Sequence, residues 1–393
     1  MIDTSKYLNK VVASLQPSGI RKFFDVAKEV EGAISLGVGE PDFDTPWNIR
    51  EAAIYAIESG KTTYSENAGL YELREAICNY QKNHYNLDYH PANEILVTVG
   101  GSEAIDNCFR ALINPGDEVI IPNPAYVAYE PSIILGGGVC KYINLKSENE
   151  FKITREMLLD AISDKTKILL LNYPSNPTGG TMCYEDYKEL VPIIKKHQLI
   201  VISDEIYSDI IYDEKHASLA CFEEIKQQVL IISGCSKAFA MTGWRLGYVL
   251  GDATLIAAIT KIHQYTIMCA PIISQYAAIE AMKHSDHEVE KMRDAYKARR
   301  NYIVDGFNKL GLPTHVPKGA FYIFPDISST HLSSQAFCEE LLKDQKVACV
   351  PGDAFGSAGE GFIRVSYAYS IEEIKVALER IEAFLNHLKT RLP

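Results

Sequence analysis

No stretch of this 393-residue chain approaches the roughly 18 consecutive apolar residues that a membrane-spanning helix needs. The longest apolar runs, at 168–171 and 199–202, have the length of buried strands. The first ten residues, MIDTSKYLNK, lack the apolar core and small-residue cleavage site of a secretory signal. Cysteine gives no framework. The nine residues (78, 108, 140, 183, 221, 235, 269, 338 and 349) are odd in number, scattered and without a CxxC pair. Neither a zinc site nor a disulfide scaffold is expected, and a reducing cytoplasm is the natural compartment. Positive charge is the scarcer sign: 39 Lys plus Arg against 51 Asp plus Glu, a net charge of −12. That balance argues against nonspecific binding to nucleic acid or to an anionic membrane. It leaves small anionic ligands open, because a local basic pocket can sit on an acidic protein. Internal repeats and low-complexity linkers are also missing.

What is present is an ordinary globular composition, 47% hydrophobic and 23% charged, in a chain long enough for two cores. From about residue 92 to 252, strand and helix patterns alternate. Short apolar runs occur at 94–99, 117–122, 166–174, 199–205, 229–233 and 245–251. Several are apolar at consecutive positions, which suits strands buried on both faces of a mainly parallel sheet. Between them, Ile105, Cys108, Phe109 and Leu112 fall on one helix face. Asn114-Pro115-Gly116-Asp117 and Gly136-Gly137-Gly138 punctuate as turns. The pattern predicts an α/β layered domain. After about 286 it changes to a long charged helix over 286–310 that stops at Gly311. Elements at 320–325, 334–345, 361–367 and 371–389 follow, which reads as a smaller α+β unit. The first 45 or so residues show little sheet signal and are expected to fold against that unit.

The segment richest in chemistry is Ser233-Gly-Cys-Ser-Lys-Ala-Phe-Ala-Met-Thr-Gly-Trp-Arg-Leu-Gly247. An apolar strand ends at Ser233, a small-residue turn then carries Lys237, and Arg245 follows eight residues later. A lysine among small residues at a strand end loses hydration. Desolvation disfavours its charged form and lowers its pKa, as a nucleophilic amine requires. Ser236 and Arg245 could together hold a phosphate beside it, the arginine offering a planar fork. Taken singly, a lysine is ordinarily a surface charge; the spacing changes the odds.

This segment resembles the lysine signature of the class I and II aminotransferases, fold-type I enzymes that use pyridoxal 5′-phosphate (PLP). The resemblance continues through GEPDFDTP (39–46), TTYSENAGLYELREAI (62–77), VTVGGSEAI (97–105), NYPSNPTGG (172–180), SDEIY (203–207) and FIRVSYA (362–368). SGIRKF (18–23) and HQY (263–265) make it similar to the bacterial aminotransferase A group, which includes N-acetyl-diaminopimelate aminotransferases. It implies a large PLP-binding domain over 46–285 with a mainly parallel seven-stranded sheet. A smaller α+β domain would be formed by 1–45 and 286–393. Lys237 would carry the cofactor and move protons. Gly101, Ser102 and Glu103 would open a helix whose free N–H groups meet the phosphate. Ser236 and Arg245 would complete that cup, and Tyr64 would reach it from the partner of a homodimer. Asp204 would face the protonated pyridine nitrogen, Tyr126 would stack on the ring, and Asn176 and Tyr207 would bond its 3′-oxygen. Arg364, with Asn176, would clamp the substrate α-carboxylate, and Gly39 would bring its backbone close to the same group. Arg21 would read a distal carboxylate. One departure stands out. Many members carry serine three residues before the lysine, where this chain has Gly234.

The implied reaction is ping-pong transfer of an amino group from an L-amino acid, such as N-acetyl-diaminopimelate, to a 2-oxo acid such as 2-oxoglutarate. No metal is expected. A PLP-dependent C–S lyase of the same fold would share the cofactor motifs. A dinucleotide-binding oxidoreductase has little support, since Gly37-x-Gly39 does not continue as GxGxxG. A PLP-sensing regulator would need room for a DNA-binding region.

Overall fold

The computed structural model describes residues 2–17 and 30–391. In chain order its strands are β1 (Ile34–Ser35), β2 (Ile95–Thr98), β3 (Glu118–Asn123), β4 (Val139–Asn144), β5 (Thr166–Asn172) and β6 (Ile200–Asp204). There follow β7 (Val229–Gly234), β8 (Gly247–Leu250), β9 (Tyr322–Ile323), β10 (Val347–Ala348), β11 (Val350–Pro351) and β12 (Ile363–Ser366). Seven of them form one sheet in the order β2-β8-β7-β6-β5-β3-β4. β8 runs antiparallel to both its neighbours, and every other pairing is parallel.

The consecutive apolar runs are explained by what lies on each face. Leu169, Leu171, Val201, Val229 and Ile231 point into one hydrophobic cluster, with the helices Tyr71–Tyr85, Tyr184–His197 and Ile272–His284. Their strand neighbours Ile168, Leu170, Ile202, Leu230 and Ile232 point into another, with Gly100–Leu112 and Ala253–Thr266. Side chains alternate along a strand, so a strand covered on both sides must be apolar at every position. β4 does not correspond to any of the six apolar runs. It is an edge strand of mixed burial, and VCKYIN carries too little apolar signal to read as sheet.

A third cluster joins Leu36 and Tyr207 to residues between 292 and 388. Two small sheets serve it: β1 with β10, and β11-β12-β9. The long helix runs Asp286–Lys309, with Gly311 beyond it in the left-handed region at φ 80°. The segment before residue 46 contributes β1, a strand that its sequence hardly signals. Ile34 and Ser35 pair in parallel with Val347 and Ala348, and Leu36 O then accepts Ser366 N. No helix among the described residues is long and apolar enough to cross a membrane.

Candidate active site

β2, β5, β6 and β7 all end at the same edge of the sheet. Chain that leaves parallel strands at that edge diverges and opens a crevice. Here the crevice is a cavity of about 1240 Å³, and Gly39, Gly101, Ser102, Tyr126, Asn176 and Asp204 contribute to its wall. So do Tyr207, Ser236, Lys237, Arg245, Tyr322 and Arg364.

The floor begins with three glycines. Gly234 ends β7, Gly247 opens β8 and Gly100 opens the helix after β2. A Cβ on Gly247 would lie 2.5 Å from Gly100 C, and one on Gly234 would lie 2.8 Å from Gly247 Cα. The backbones touch, so no side chain fits. This accounts for the departure at 234: a serine there would meet Gly247 Cα and Leu246 O. Gly100 also has φ 73° and lies under Arg245, whose Nη2 would be 2.5 Å from an added Cβ. The guanidinium therefore rests over the first turn of Gly100–Leu112, beside the unsatisfied N–H groups of a helix start. Arg245 Nη1 is steadied by Thr242 O at 3.0 Å.

Lys237 sits in the short helix Cys235–Ala238 that follows β7 directly. Its Nζ donates to Gly39 O at 2.7 Å. Burial, partly offset by Glu40 and reinforced by Arg364 and Arg245, pulls its pKa down to about 8. Asp204 ends β6 at the cavity. Burial pushes its pKa up to about 6, although Tyr129 donates to Oδ2 at 2.6 Å and Ile206 N to Oδ1 at 3.2 Å. A buried carboxylate held this high is short of positive charge.

The opposite wall comes from distant segments. Arg364 is 3% exposed in β12. Nη1 donates to Asn176 Oδ1 at 2.9 Å and Nη2 to Gly37 O at 2.5 Å. Its guanidinium lies between the rings of Tyr322 (4.6 Å) and Phe355 (4.7 Å). Nε is buried without a hydrogen-bond partner among the described residues, an orphaned donor that a bound carboxylate would satisfy. Asn176 is in turn held by its own N–H, which donates to Asn172 Oδ1 at 3.0 Å. Tyr207, 3% exposed, meets Tyr322 hydroxyl to hydroxyl at 2.9 Å.

Glu103, Tyr64 and Arg21 need separate comment. The Glu103 carboxylate turns away from the cavity. It accepts from Val99 N at 2.5 Å and bonds the fully buried His263 at 2.6 Å. Tyr64 is 80% exposed and absent from the wall of its own chain's cavity. Arg21 lies outside the described residues. The sequence reading passed over Tyr129, Asn172 and Tyr322. Tyr129 carried a faint signal, as the second tyrosine of NPAYVAY. Asn172 had one inside NYPSNP, whereas Tyr322 had none beyond an apolar strand.

The comparisons agree with this geometry. The family model described as "Aminotransferase class I and II" matches residues 31–381. A putative aminotransferase YugH of Bacillus subtilis (strain 168) is 50% identical over 382 residues, covering 97% of this chain and 99% of its own. An aspartate aminotransferase of Pyrococcus abyssi is 44% identical, covering 95% and 97%. A probable N-acetyl-LL-diaminopimelate aminotransferase of Bacillus subtilis (strain 168) is 42% identical, covering 96% and 95%. Among solved structures, an aromatic aminotransferase from Pyrococcus horikoshii OT3 superposes with a TM-score of 0.90 at 43% identity, covering 93% and 99%.

Proposed function

We propose that this chain, which belongs to the class I and II aminotransferases and is a PLP-dependent aminotransferase, transfers the amino group of an L-amino acid to 2-oxoglutarate by ping-pong turnover. The observation that carries the reading is the convergence of Lys237, Asp204 and Arg364 on one cavity.

The donor set fits PLP. Asp204, buried and short of positive charge, suits a protonated ring nitrogen. The first turn of Gly100–Leu112, Ser236 and Arg245 suit a phosphate. Tyr126 offers a ring face, and Tyr207 and Asn176 offer donors to the 3′-oxygen. Bound there, PLP supplies an electron sink for the charge that develops at the substrate Cα. Everything else falls to the chain. The Arg364 guanidinium binds the α-carboxylate, with its orphaned Nε as one donor, and Asn176 keeps it in plane. Gly39, where a Cβ would come within 2.4 Å of the Tyr322 hydroxyl, keeps that approach open. Lys237 Nζ, with its pKa near 8, has a neutral fraction at physiological pH. It takes the Cα proton and holds it for return, as a general base and then a general acid. Asp204 would supply the negative charge that a protonated ring nitrogen needs.

The working assembly in this reading is a homodimer. Tyr64, exposed in its own chain, would complete the partner's phosphate site, and light scattering that found a fully active monomer would refute it. Three of the proteins named above carry the names of aspartate, N-acetyl-LL-diaminopimelate (as probable) and aromatic aminotransferases, so the donor is to be found by assay. Purified enzyme should convert 2-oxoglutarate to glutamate with at least one donor from a panel containing all three. Release of thiol from a cysteine conjugate with no oxo-acid requirement, and no glutamate from any donor, would replace transamination with C–S cleavage.

A further inference from the structure

We propose that Tyr322 is a positioning residue with two separable parts. Its hydroxyl orients Tyr207 toward the cofactor's 3′-oxygen, and its ring seats Arg364 for the α-carboxylate. The inference rests on the roles given above to Tyr207 and Arg364.

The placement follows from the ladder. β9 pairs antiparallel with β12 so that Tyr322 is opposite Ser366, two residues from Arg364. Residues two apart leave a strand on the same face, and a diagonal neighbour is within reach of a long side chain. The Tyr322 ring therefore lies over the guanidinium, at 4.6 Å, and closes the sandwich begun by Phe355. Arg364 is almost fully buried, with one donor unpaired among the described residues, so the two ring faces supply part of the stabilisation that water no longer gives. A flat guanidinium gripped on both faces keeps its edge directed into the cavity.

The hydroxyl does different work. Tyr322 is 1% exposed, and its oxygen is 2.9 Å from that of Tyr207. Gly39 leaves room for it, because any Cβ there would collide with the Tyr322 hydroxyl at 2.4 Å. A phenol has one proton to give. When Tyr322 donates to Tyr207, the Tyr207 proton is free to point into the cavity, and the chain of two hydroxyls strengthens that donation. Without Tyr322, the Tyr207 hydroxyl loses this partner and its direction.

Two substitutions separate the parts. Tyr322→Phe keeps the ring and deletes the hydroxyl, whereas Tyr322→Leu deletes both. The first readout is the pH midpoint at which the visible band of the bound cofactor titrates. A donor to the 3′-oxygen favours the deprotonated form, so weakening it raises the midpoint. The second readout is KM for amino donor and oxo acid. Tyr322→Phe should raise the midpoint by a few tenths of a unit and leave KM unchanged. Tyr322→Leu should raise the midpoint as well and increase KM about 3- to 10-fold, the range expected for one lost cation–π face. In a Tyr207→Phe background the Tyr322→Phe shift should vanish, because its effect passes through that hydroxyl. The proposal is overturned by a Tyr322→Phe midpoint equal to wild type. It is equally overturned by a KM rise in Tyr322→Phe as large as that in Tyr322→Leu, or by a shift that persists in the Tyr207→Phe background. A Tyr207→Phe enzyme that titrates like wild type would remove the assigned role of Tyr207, and the inference with it.

Discussion

The two walls of the cavity are built in opposite ways. The wall formed by Gly100–Ser102, Asp204 and the segment from Gly234 to Gly247 hangs from adjacent strand ends of one sheet. Its geometry is set by backbone against backbone, as the contacts of Gly100, Gly234 and Gly247 show. The wall formed by Gly37, Gly39, Asn176, Tyr322 and Arg364 is gathered from segments hundreds of residues apart and held by side chains. The first is rigid because the chain cannot pass through itself. The second keeps its order through a few hydrogen bonds and ring contacts, each worth about 0.5–3 kcal/mol. A site that must hold one cofactor permanently and exchange substrates at every turnover has use for both.

That contrast can be broken or sharpened, and the largest effect is expected at Lys237. Lys237→Ala removes the proposed proton carrier and should lower kcat by about 10²–10⁴-fold or more, measured in single-turnover assays. A mutant within tenfold of wild type would assign proton transfer to another group.

Asp204 shows what the sheet wall gives up for function. Its pKa near 6 in the folded protein is above the ordinary carboxylate value of 3.8. The native state therefore holds its proton more tightly than the unfolded chain. The associated stability is present at low pH and is lost as pH rises from about 4 through about 6. Asp204→Asn in cofactor-free protein should raise stability by about 2–3 kcal/mol at pH 7.5 and by only about 1 kcal/mol at pH 4.5. Denaturant melts at both values check this, and an equal effect at the two would contradict it.

The glycine floor predicts overpacking. An added methyl at Gly247 meets the backbone of Gly100 and Gly101 at 2.5 Å. Gly247→Ala should cost about 1–3 kcal/mol and weaken phosphate binding. Gly243→Ala, with nothing within 4 Å, is the matched control and should be near neutral. Similar melts for the two would show that the floor yields.

On the other wall, Arg364→Lys keeps the charge and loses the fork. kcat/KM for amino acids should fall more than about tenfold, or about 1.4 kcal/mol, while amines without a carboxylate lose much less. Equal losses on both substrate types would take the carboxylate away from Arg364.

The same contrast decides what the sequence discloses. The sheet wall is contiguous: Ser236, Lys237 and Arg245 lie within one fifteen-residue segment, and Asp204 closes an apolar run. Strands buried on both faces advertise themselves by unbroken apolar stretches, which made β5, β6 and β7 readable. β4 and β1 were not, because an edge strand and a two-residue strand bury too little to leave a pattern. Tyr322 was invisible for a different reason. In the sequence it is one of 23 tyrosines, and only the pairing of β9 with β12 brings it over Arg364. The direction of the Glu103 side chain was invisible as well. Side-chain direction within the first turn, toward His263 rather than the cavity, cannot be read from spacing.

If Lys237 holds the cofactor as proposed, borohydride can show it. Reduction fixes any lysine–cofactor linkage in place, so proteolysis and mass spectrometry can locate it. A single phosphopyridoxyl-bearing peptide, containing Lys237, is expected, with no such peptide from Lys237→Ala. A phosphopyridoxyl group on any other lysine of the wild-type chain would contradict it.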